Sequence, residues 1–449
     1  MKKISKISCI FACMSLVACG DITSSFNPTN DVTNLLKGIK EPNKITSDPR
    51  NSHEFKSFLD KFSNFSLRFN DSYLNNYDDK SSNVAISPLS LFFALAMTSE
   101  CTSYNSQIEL LNALNVTTTE LRENLPILYA LENTTSYTID DVKNEKVLMS
   151  VKDLNNSIWL SKELNKSQET LENLSEYYYT ESYDTDFKKN NSKANKDFKE
   201  YVKDKTRGLI DRDFDLDINT LLVLLNTFYL KDIWDKNNSE LTLTENTYNF
   251  TKRNNSTIKT KLMKGKYHAG RALRKDTYSS FFTKTQNGLN ISFLLPNDNY
   301  KLEDVFTKEN IDYILDYDNY EYSNEKLKKR YYTSVQFPQF EASCDKDLAP
   351  LLRSEFNINE IFSNLNANFS NISSDDIYID QIIHSTKLKV DKKGIEGAAI
   401  TTAIAPGSAG PSIDEYEDIY EIFTVDKSFG YVITDNYGVI LFSGIINSI

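Results

Sequence analysis

Few residues in this sequence are suited to acid–base or metal chemistry. The 449 residues include only three His, at His53, His268 and His384. None has a metal-ligand neighbour at a useful spacing, and no Cys pair has zinc-site spacing. No glycine-rich phosphate loop and no Gly-x-Ser-x-Gly turn is present. A Ser–His–Asp site remains open, because its members need not be close in sequence. We expect no metal, no cofactor and no enzyme activity.

Cysteine chemistry is also limited. Three of the five Cys lie within the first 19 residues, which leaves Cys101 and Cys344 for the folded part. One disulfide or two separate thiols would both be compatible with this count.

The N-terminus has the features of an export signal. Three Lys within the first six residues precede an apolar run over 7–18, which is too short to span a membrane comfortably. The run ends on Leu-Val-Ala-Cys at Cys19, the pattern of a bacterial lipobox. We therefore expect residues 1–18 to be a lipoprotein signal peptide and Cys19 to be lipidated. The protein would be exported and anchored to the bacterial cell envelope or cell surface. An ordinary signal peptide or an uncleaved anchor are the alternatives.

The charge of the chain argues against one class of partner. The formal net charge is −12, and removal of the three signal Lys takes it to −15. No basic cluster interrupts this acidic background, so nucleic acid is not an expected partner.

The chain changes character after its first fifty residues. Residues 19–52 are rich in Asn, Ser, Thr, Asp, Pro and Lys without periodicity, which predicts a flexible spacer. From Phe55 to Phe69, apolar residues recur at helical spacing and predict an amphipathic helix.

Two further segments bury polar residues. The segment NVAISPLSLFFALAM (83–97) predicts a short strand followed by a buried helix capped by Ser87. Ser87 and Ser90 then need partners inside the protein. The segment LLVLLNTFYL (221–230) predicts a strand buried on both faces, in which Asn226 must be hydrogen-bonded. Helices dominate the first half and strands the second, which predicts an α+β fold.

The segment GIEGAAITTAIAPGSAG (394–410) consists mostly of residues with small side chains, although strand-like apolar runs flank it on both sides. By itself it favours a plain surface loop or a linker. Six other segments, in order from about Phe55 to the end, resemble signatures of the serpin (serine protease inhibitor) family. They cover residues 83–97 (NVAISPLSLFFALAM), 155–160 (NNSIWL), 198–210 (FKEYVKDKTRGLI), 221–234 (LLVLLNTFYLKDIW), 335–352 (VQFPQFEASCDKDLAPLL) and 423–446 (FTVDKSFGYVITDNYGVILFSGII).

The resemblance implies one domain over 53–449 with three β-sheets, eight or nine helices and an exposed reactive-centre loop at about 394–422. In serpins a protease cleaves this loop, and the freed strand then inserts into the largest sheet. The resemblance also implies a monomer.

The resemblance assigns roles to particular residues. Ser87, Ser90, Asn226 and His384 match the shutter beneath the opening point of the sheet, although each could simply be a satisfied core polar group. Trp234 matches the breach, where insertion begins. The hinge corresponds to Gly394, Ile395, Glu396, Gly397, Ala398 and Ala399.

Two departures from the family pattern affect the hinge. Lys392 and Lys393 stand where inhibitors usually carry Glu, and Ile395 stands where a small or hydroxyl residue is usual. Because Ile is β-branched and uncharged, we expect it to slow insertion rather than prevent it.

The predicted scissile bond is Ser408–Ala409. The resemblance to serpins implies a fixed distance from the hinge to the bond. Fifteen residues, with Gly394 counted as the first, reach Ser408, whereas the spacing usual in serpins, counted back from Phe423, reaches about Glu417. The loop is then about nine residues longer than usual, and we follow the count from the hinge because only that side inserts.

The loop sequence also narrows the choice of protease. No Lys or Arg occurs between Gly394 and Asp426, so a trypsin-like protease has no site there. We predict suicide inhibition of an extracellular elastase- or subtilisin-like serine protease, with a cysteine protease as a variant. A non-inhibitory surface binding or structural lipoprotein is the alternative.

Overall fold

The computed structural model describes residues 26, 32–36, 39, 41–76, 81–140, 145–234, 241–379, 382–395 and 416–449. The predicted signal peptide and Cys19 lie outside the described residues, as do Glu396, Gly397, Ala398, Ala399, Ser408 and Ala409.

Nine α-helices lie within these residues, together with three short 3₁₀ turns. The α-helices are α1 (His53–Asn75), α2 (Pro88–Cys101), α3 (Tyr104–Leu114), α4 (Thr118–Leu131), α5 (Gln168–Tyr178), α6 (Asn191–Lys205), α7 (Leu302–Val305), α8 (Lys308–Leu315) and α9 (Ala349–Phe356). The 3₁₀ turns are Pro49–Asn51, Tyr317–Asn319 and Glu360–Phe362.

The same residues form twenty-one strands. They are β1 (Val32–Asn34), β2 (Val84–Ile86), β3 (Asn133–Asp140), β4 (Glu145–Ser161), β5 (Thr180–Thr185), β6 (Leu222–Ile233), β7 (Thr242–Leu243), β8 (Tyr248–Thr251), β9 (Thr257–Thr260), β10 (Met263–Ala269), β11 (Leu273–Arg274), β12 (Tyr278–Lys284), β13 (Asn290–Pro296), β14 (Ser323–Asn324), β15 (Lys329–Phe337), β16 (Phe340–Asp347), β17 (Ile383–Asp391), β18 (Gly394–Ile395), β19 (Glu417–Thr424), β20 (Phe429–Thr434) and β21 (Ile440–Ile446).

The strands are arranged in three sheets. The main sheet has the order β1-β5-β4-β6-β18-β17-β16, with β3 beside β4. Its strand β16 pairs with the second sheet, β2-β21-β20-β13-β12-β11, where Ser343 lies opposite Val84. The third sheet contains β14, β15, β10, β7 and β19, and β8 and β9 form a separate hairpin. These three sheets and the nine described helices confirm the predicted α+β class.

The two helices predicted beside the core form as expected. In α1, the Ser52 side chain accepts a hydrogen bond from the Phe55 backbone N–H at 3.2 Å, which caps the first turn. In α2, Pro88 occupies the first turn and the Ser87 hydroxyl accepts from the Ser90 backbone N–H at 3.3 Å. Nearly every α2 side chain is buried, because this helix lies between α1 and the main sheet.

Both faces of β6 make apolar contacts, but residues 222–226 are half-buried rather than buried on both faces as the sequence predicts. One face packs on the main hydrophobic core through Leu224 and Phe228. The other packs through Val223 and Leu225 on a smaller cluster beneath α6. Alternation along a strand places the two sets on opposite faces.

Parts of the segment predicted to be a flexible spacer (19–52) contact the folded domain. Residues Val32–Asn34 form the edge strand β1, antiparallel to β5, and the Leu35 backbone N–H donates to the Ser182 carbonyl at 2.8 Å. Leu36 and Ile45 pack against the main core. A few apolar side chains spaced through a polar segment thus attach it to a sheet edge, although its composition resembles that of a linker.

The alternatives left open for the cysteines are also resolved. Cys101 and Cys344 are separate, buried thiols. The Cys344 Sγ lies 3.1 Å from the Tyr73 hydroxyl oxygen, and burial raises the pKa of this thiol to about 11.

Candidate functional site

The first two hinge residues already lie inside the main sheet. Strand β18 pairs antiparallel with both neighbours: Gly394 lies opposite Ile233 of β6, and Ile395 opposite Asp232. On the other side, Ile395 lies opposite Val390 of β17. The Ile395 side chain has an exposed fraction of 0%. The unusual Ile is therefore held as an ordinary interior strand residue.

The fit at this position depends on the absence of a side chain at Gly394. A Cβ atom there would lie 2.1 Å from the Asp232 carbonyl oxygen and 2.9 Å from the Ile233 Cα. Its φ of +156° also lies at the edge of the range that L side chains rarely adopt. Any larger residue would push β18 away from β6.

The two Lys that depart from the family pattern lie in the turn between β17 and β18. The Lys392 carbonyl accepts from the Leu241 backbone N–H at 2.7 Å, and the Lys393 carbonyl accepts from the Trp234 backbone N–H at 3.4 Å. Both Lys are half-buried rather than enclosed in the sheet. Their charges therefore do not have to enter the sheet with β18.

Trp234 lies directly beneath this turn. Its indole Nε1 donates to the Asp391 carbonyl at 2.7 Å, and its ring meets Phe337 edge-to-face with 5.6 Å between centroids. Its exposed fraction is 1%. The residue assigned to the breach thus contacts both the end of β17 and the turn that leads into β18.

Asp232 was missed by the sequence reasoning. Its carboxylate accepts from the Asn287 side chain at 2.7 Å and from the Asn287 backbone N–H at 3.2 Å, and it also accepts from Thr285. Burial raises its pKa to about 6, against the lowering effect of these hydrogen bonds. Its position two residues before Trp234 was the available signal. Asp232 therefore joins the entrance of the sheet to the β12–β13 turn.

Below β18 the main sheet is open. In the described part of the chain, β6 and β17 pair with β18 and not with each other. A cavity of about 430 Å³ lies between them, bordered by 222–227 of β6 and 382–385 at the start of β17. Helix α2 lines its inner side, and α6 with residues 210–217 lines its outer side. The cavity therefore lies where a further strand between β6 and β17 would run.

Three of the four shutter residues, Ser90, Asn226 and His384, line this cavity, and Ser87 contacts two of them. Their hydrogen bonds fall into two separate groups. His384 Nε2 accepts from the Ser87 backbone N–H at 3.1 Å, and the Ser87 hydroxyl accepts from the Ser90 backbone N–H. Across the cavity, Asn226 Nδ2 donates to the Asn156 side-chain oxygen at 2.7 Å.

The Asn226 half of the site has one unsatisfied atom. Asn226 Oδ1 is buried without a hydrogen-bond partner, whereas Asn156 Nδ2 donates to the Tyr178 carbonyl at 2.6 Å. Asn156 was not singled out from the sequence, although it lies in the NNSIWL segment. An acceptor left without a partner at the cavity wall is available to a strand that fills the cavity.

His384 is held neutral by its surroundings. Burial lowers the pKa of its imidazole from 6.5 to about 4. Because Nε2 accepts a hydrogen bond, the neutral ring carries its proton on Nδ1. The ring also meets Phe69 edge-to-face at 5.8 Å. This environment suits a packed polar residue rather than a general base at neutral pH.

The other His residues do not join this site. His268 Nε2 lies 3.2 Å from the Thr283 hydroxyl, and His53 begins α1. Among the described residues, no group of three or more His, Cys, Asp or Glu is arranged to hold a metal ion. No helix among them is both long enough and apolar enough to cross a membrane.

Comparison with known proteins identifies the family. A sequence model of the serpin (serine protease inhibitor) family matches residues 60–449. The chain therefore belongs to the serpin family, whose members are generally serine protease inhibitors.

Individual relatives are distant. Serpin B12 of Homo sapiens is 26% identical over 355 residues, which cover 73% of this chain and 85% of the human protein. Serpin B12 of Mus musculus is 27% identical over 270 residues, and the alignment covers 58% of this chain and 62% of the mouse protein.

Solved structures agree in fold. A thermophilic serpin, tengpin, in its native state matches with a TM-score of 0.70 and 20% identity, over 93% of this chain and all of that one. Serpin48 of the insect Tenebrio molitor matches with a TM-score of 0.69 and 19% identity, over 89% of this chain and all of that one.

Proposed function

We propose that this serpin inhibits an extracellular serine protease of the elastase or subtilisin type by suicide cleavage of its reactive-centre loop. The observation that carries the proposal is the position of Gly394 and Ile395 between β6 and β17, above an open strand position. The protease performs the chemistry. The serpin supplies a cleavable bond and a strand that inserts before the acyl-enzyme hydrolyses.

The register of β18 predicts where an inserting strand would lie. If this register continued residue by residue, Thr401 would lie opposite both Asn226 and His384, and Ala405 opposite Leu222 at the far end of β6. Thr401 would carry its hydroxyl to the unsatisfied Asn226 Oδ1. Insertion would therefore join the two halves of the shutter through one polar side chain.

The alternation of faces supports the same strand. Residues on the same face as Ile395 would be Gly397, Ala399, Thr401, Ala403 and Ala405, all of them small. This face meets the main core, where bulky additions would overpack it. Glu396 would face the opposite side, so its charge would not enter the core.

The predicted bond follows from the same geometry. Ser408 lies three residues beyond Ala405, so full insertion would carry it just past the end of β6. The fourteen residues after Gly394 span roughly 46 Å at about 3.3 Å per residue. An attached protease would therefore be moved from one end of the main sheet to the other.

Substitution of the proposed acyl donor tests the function. Ser408→Arg should shift inhibition from subtilisin toward trypsin, because a trypsin-like pocket needs a cation. Ser412→Arg, in the same loop but beyond the proposed bond, is the matched control. The proposal fails if Ser408→Arg leaves specificity unchanged, or if Ser412→Arg shifts it equally.

A non-inhibitory surface protein is the second candidate. The Ile395 side chain favours this second candidate. It occupies the place between β6 and β17 where insertion begins, and it is larger than the residue that inhibitors usually carry there. Heat resistance after cleavage of the loop separates the two. An inhibitor gains a central strand and becomes far more heat-resistant, whereas a non-inhibitory serpin gains much less.

We further propose that the protein is a bacterial lipoprotein held at the cell envelope or surface through Cys19, and that it acts as a monomer without nucleic acid, metal or cofactor. The Leu-Val-Ala-Cys sequence supports the anchor. Cys19→Ser should move the protein from the membrane fraction to the soluble fraction. Retention in the membrane fraction would contradict the anchor.

A further inference from the structure

An N-terminal aromatic residue contacts the sheet and helix α6 at the same time. The Phe26 ring lies 5.2 Å from the Tyr201 ring of α6, 5.9 Å from the Tyr183 ring of β5 and 6.1 Å from the Trp159 ring of β4. The Phe26 backbone N–H donates to Asp204 Oδ2 at 3.1 Å. This residue therefore links three elements that are distant in sequence.

These rings belong to a cluster that is separate from the main core. It contains Trp159, Tyr183, Phe187, Phe198, Tyr201 and Val202, and Val32 of β1 is buried in it. Pairing of β1 with β5 holds Val32 in place, and Phe26 packs on the side that faces α6. The apolar attachment of α6 to the main sheet thus includes two side chains from the N-terminal segment.

The same helix covers the open strand position. Phe198 and Val202 of α6 line the outer side of the cavity between β6 and β17. The chain that returns from α6 to β6 covers the rest of that side through Phe214 and Leu216. Asn195 of α6 joins this returning chain, because its side chain accepts from the Leu216 backbone N–H at 2.8 Å and donates to the Leu216 carbonyl at 3.0 Å. Helix α6 and residues 210–217 therefore form one cover.

We propose that Phe26 and strand β1 together form a brace that holds this cover on the sheet and slows insertion of a strand beneath it. A strand descending from β18 must pass between the cover and α2, so the cover has to lift for it to pass. Lifting α6 separates Tyr201 and Asp204 from Phe26. The brace therefore makes contacts that exist in the native state and are lost on the way to the inserted state.

The direction of the effect follows from this difference. Contacts that are present in the native state and absent from the transition state lower the rate of leaving the native state. Truncation of Phe26 should accelerate lifting of α6 and conversion to the inserted form at least tenfold, which corresponds to about 1.4 kcal/mol. The inference rests on the proposed function only in that insertion is the motion being slowed.

The experiment compares full-length chains in detergent, without any protease. The variants are Phe26→Ala, the milder Phe26→Leu, and Ile45→Ala as a matched control from the same segment, packed on the main core away from the α6 cluster. One measurement is amide hydrogen exchange over residues 198–205. The other is the rate at which a heat-resistant, inserted form appears during warming at a fixed temperature.

We expect Phe26→Ala to raise both rates at least tenfold, Phe26→Leu to raise both by a smaller factor, and Ile45→Ala to leave both unchanged. If Phe26→Ala does not fold, the remaining two variants test the inference: both rates should be higher in Phe26→Leu than in Ile45→Ala. Unchanged exchange in α6 overturns the inference, as does faster exchange without faster conversion, or no conversion in any variant before unfolding. Covalent complex formation by the wild type is measured separately. If the wild type forms no covalent complex but Phe26→Ala converts faster, the proposed function is contradicted and the inference about the brace is supported.

Discussion

Replacement of Gly394 by Ala should expel the hinge from the main sheet. The new Cβ would lie 2.1 Å from the Asp232 carbonyl oxygen, whereas an ordinary contact is 3.4–4 Å. The oxygen belongs to the backbone of β6, which is paired along its length with β4. Because β6 cannot yield without disrupting that pairing, β18 is the element that moves.

The size of the effect follows from what β18 buries. Full burial of an Ile side chain contributes about 1.5–3 kcal/mol relative to its exposure. Ile395 has an exposed fraction of 0% in the inserted position. The free energy of unfolding of Gly394→Ala should therefore fall by about 1.5–3 kcal/mol.

Tryptophan fluorescence reports this movement directly. The Trp234 indole donates to the Asp391 carbonyl beneath the β17–β18 turn, so departure of β18 should expose it and shift its emission to longer wavelength. Trp159, the other Trp, is replaced by Phe in the background so that Trp234 alone is observed. Urea denaturation then gives the free energy of unfolding.

Gly438→Ala is the matched control. Gly438 has a φ of +83°, and no heavy atom lies within 4 Å of a Cβ built there. This variant carries backbone strain without a steric contact, so its Trp234 emission should match that of the wild type. The Leu241 backbone N–H donates to the Lys392 carbonyl in the β17–β18 turn, so its protection from hydrogen exchange also reports on the hinge. If Gly394→Ala keeps both the wild-type emission and the wild-type protection of this amide, β18 has not moved and the prediction is refuted.

Three further changes have defined outcomes. The lowered pKa of His384 means that the unfolded chain binds a proton between pH 6.5 and about 4 when the folded protein does not, so stability is lost as pH falls through this window. Other buried groups, such as Asp232, also titrate here, so the prediction concerns a difference: between pH 6.5 and 4, wild type should lose about 3 kcal/mol more of its free energy of unfolding than His384→Gln, as measured by urea denaturation. Equal losses in the two proteins would contradict it. Ile395→Arg should convert the inhibitor into a substrate, because a buried unpaired cation opposes insertion; undiminished covalent complex on SDS gels would contradict this. Glu421 accepts from the Ala272 backbone N–H at 2.7 Å, so Glu421→Ala should lower the free energy of unfolding by about 1–3 kcal/mol, whereas an unchanged urea midpoint would show that this bond is dispensable.

Local patterns predicted the elements around the site well. The apolar spacing from Phe55 to Phe69 predicted α1, and the Ser87-Pro88 pair predicted the start of α2. Both rest on interactions within one or two helical turns. Such interactions can be read from neighbouring residues without knowledge of the rest of the fold.

Features that depend on distant contacts were not predictable in this way. The composition of residues 19–52 indicates a spacer, yet Phe26 and Val32 find partners more than 130 residues away along the chain. The polar partner of Asn226 is Asn156, on the neighbouring strand β4. The inserted position of Ile395 depends on an interatomic fit between Gly394 and β6 that no spacing rule contains.

The proposed inhibitor should trap its protease covalently through the reactive-centre loop. The most direct test is to mix the protein with subtilisin or elastase, denature the mixture in SDS, and measure intact masses. We expect a complex with the summed mass of both proteins less a C-terminal fragment that begins at Ala409. Cleavage of the loop with no covalent complex would contradict the claim, because the loop would then be only a substrate.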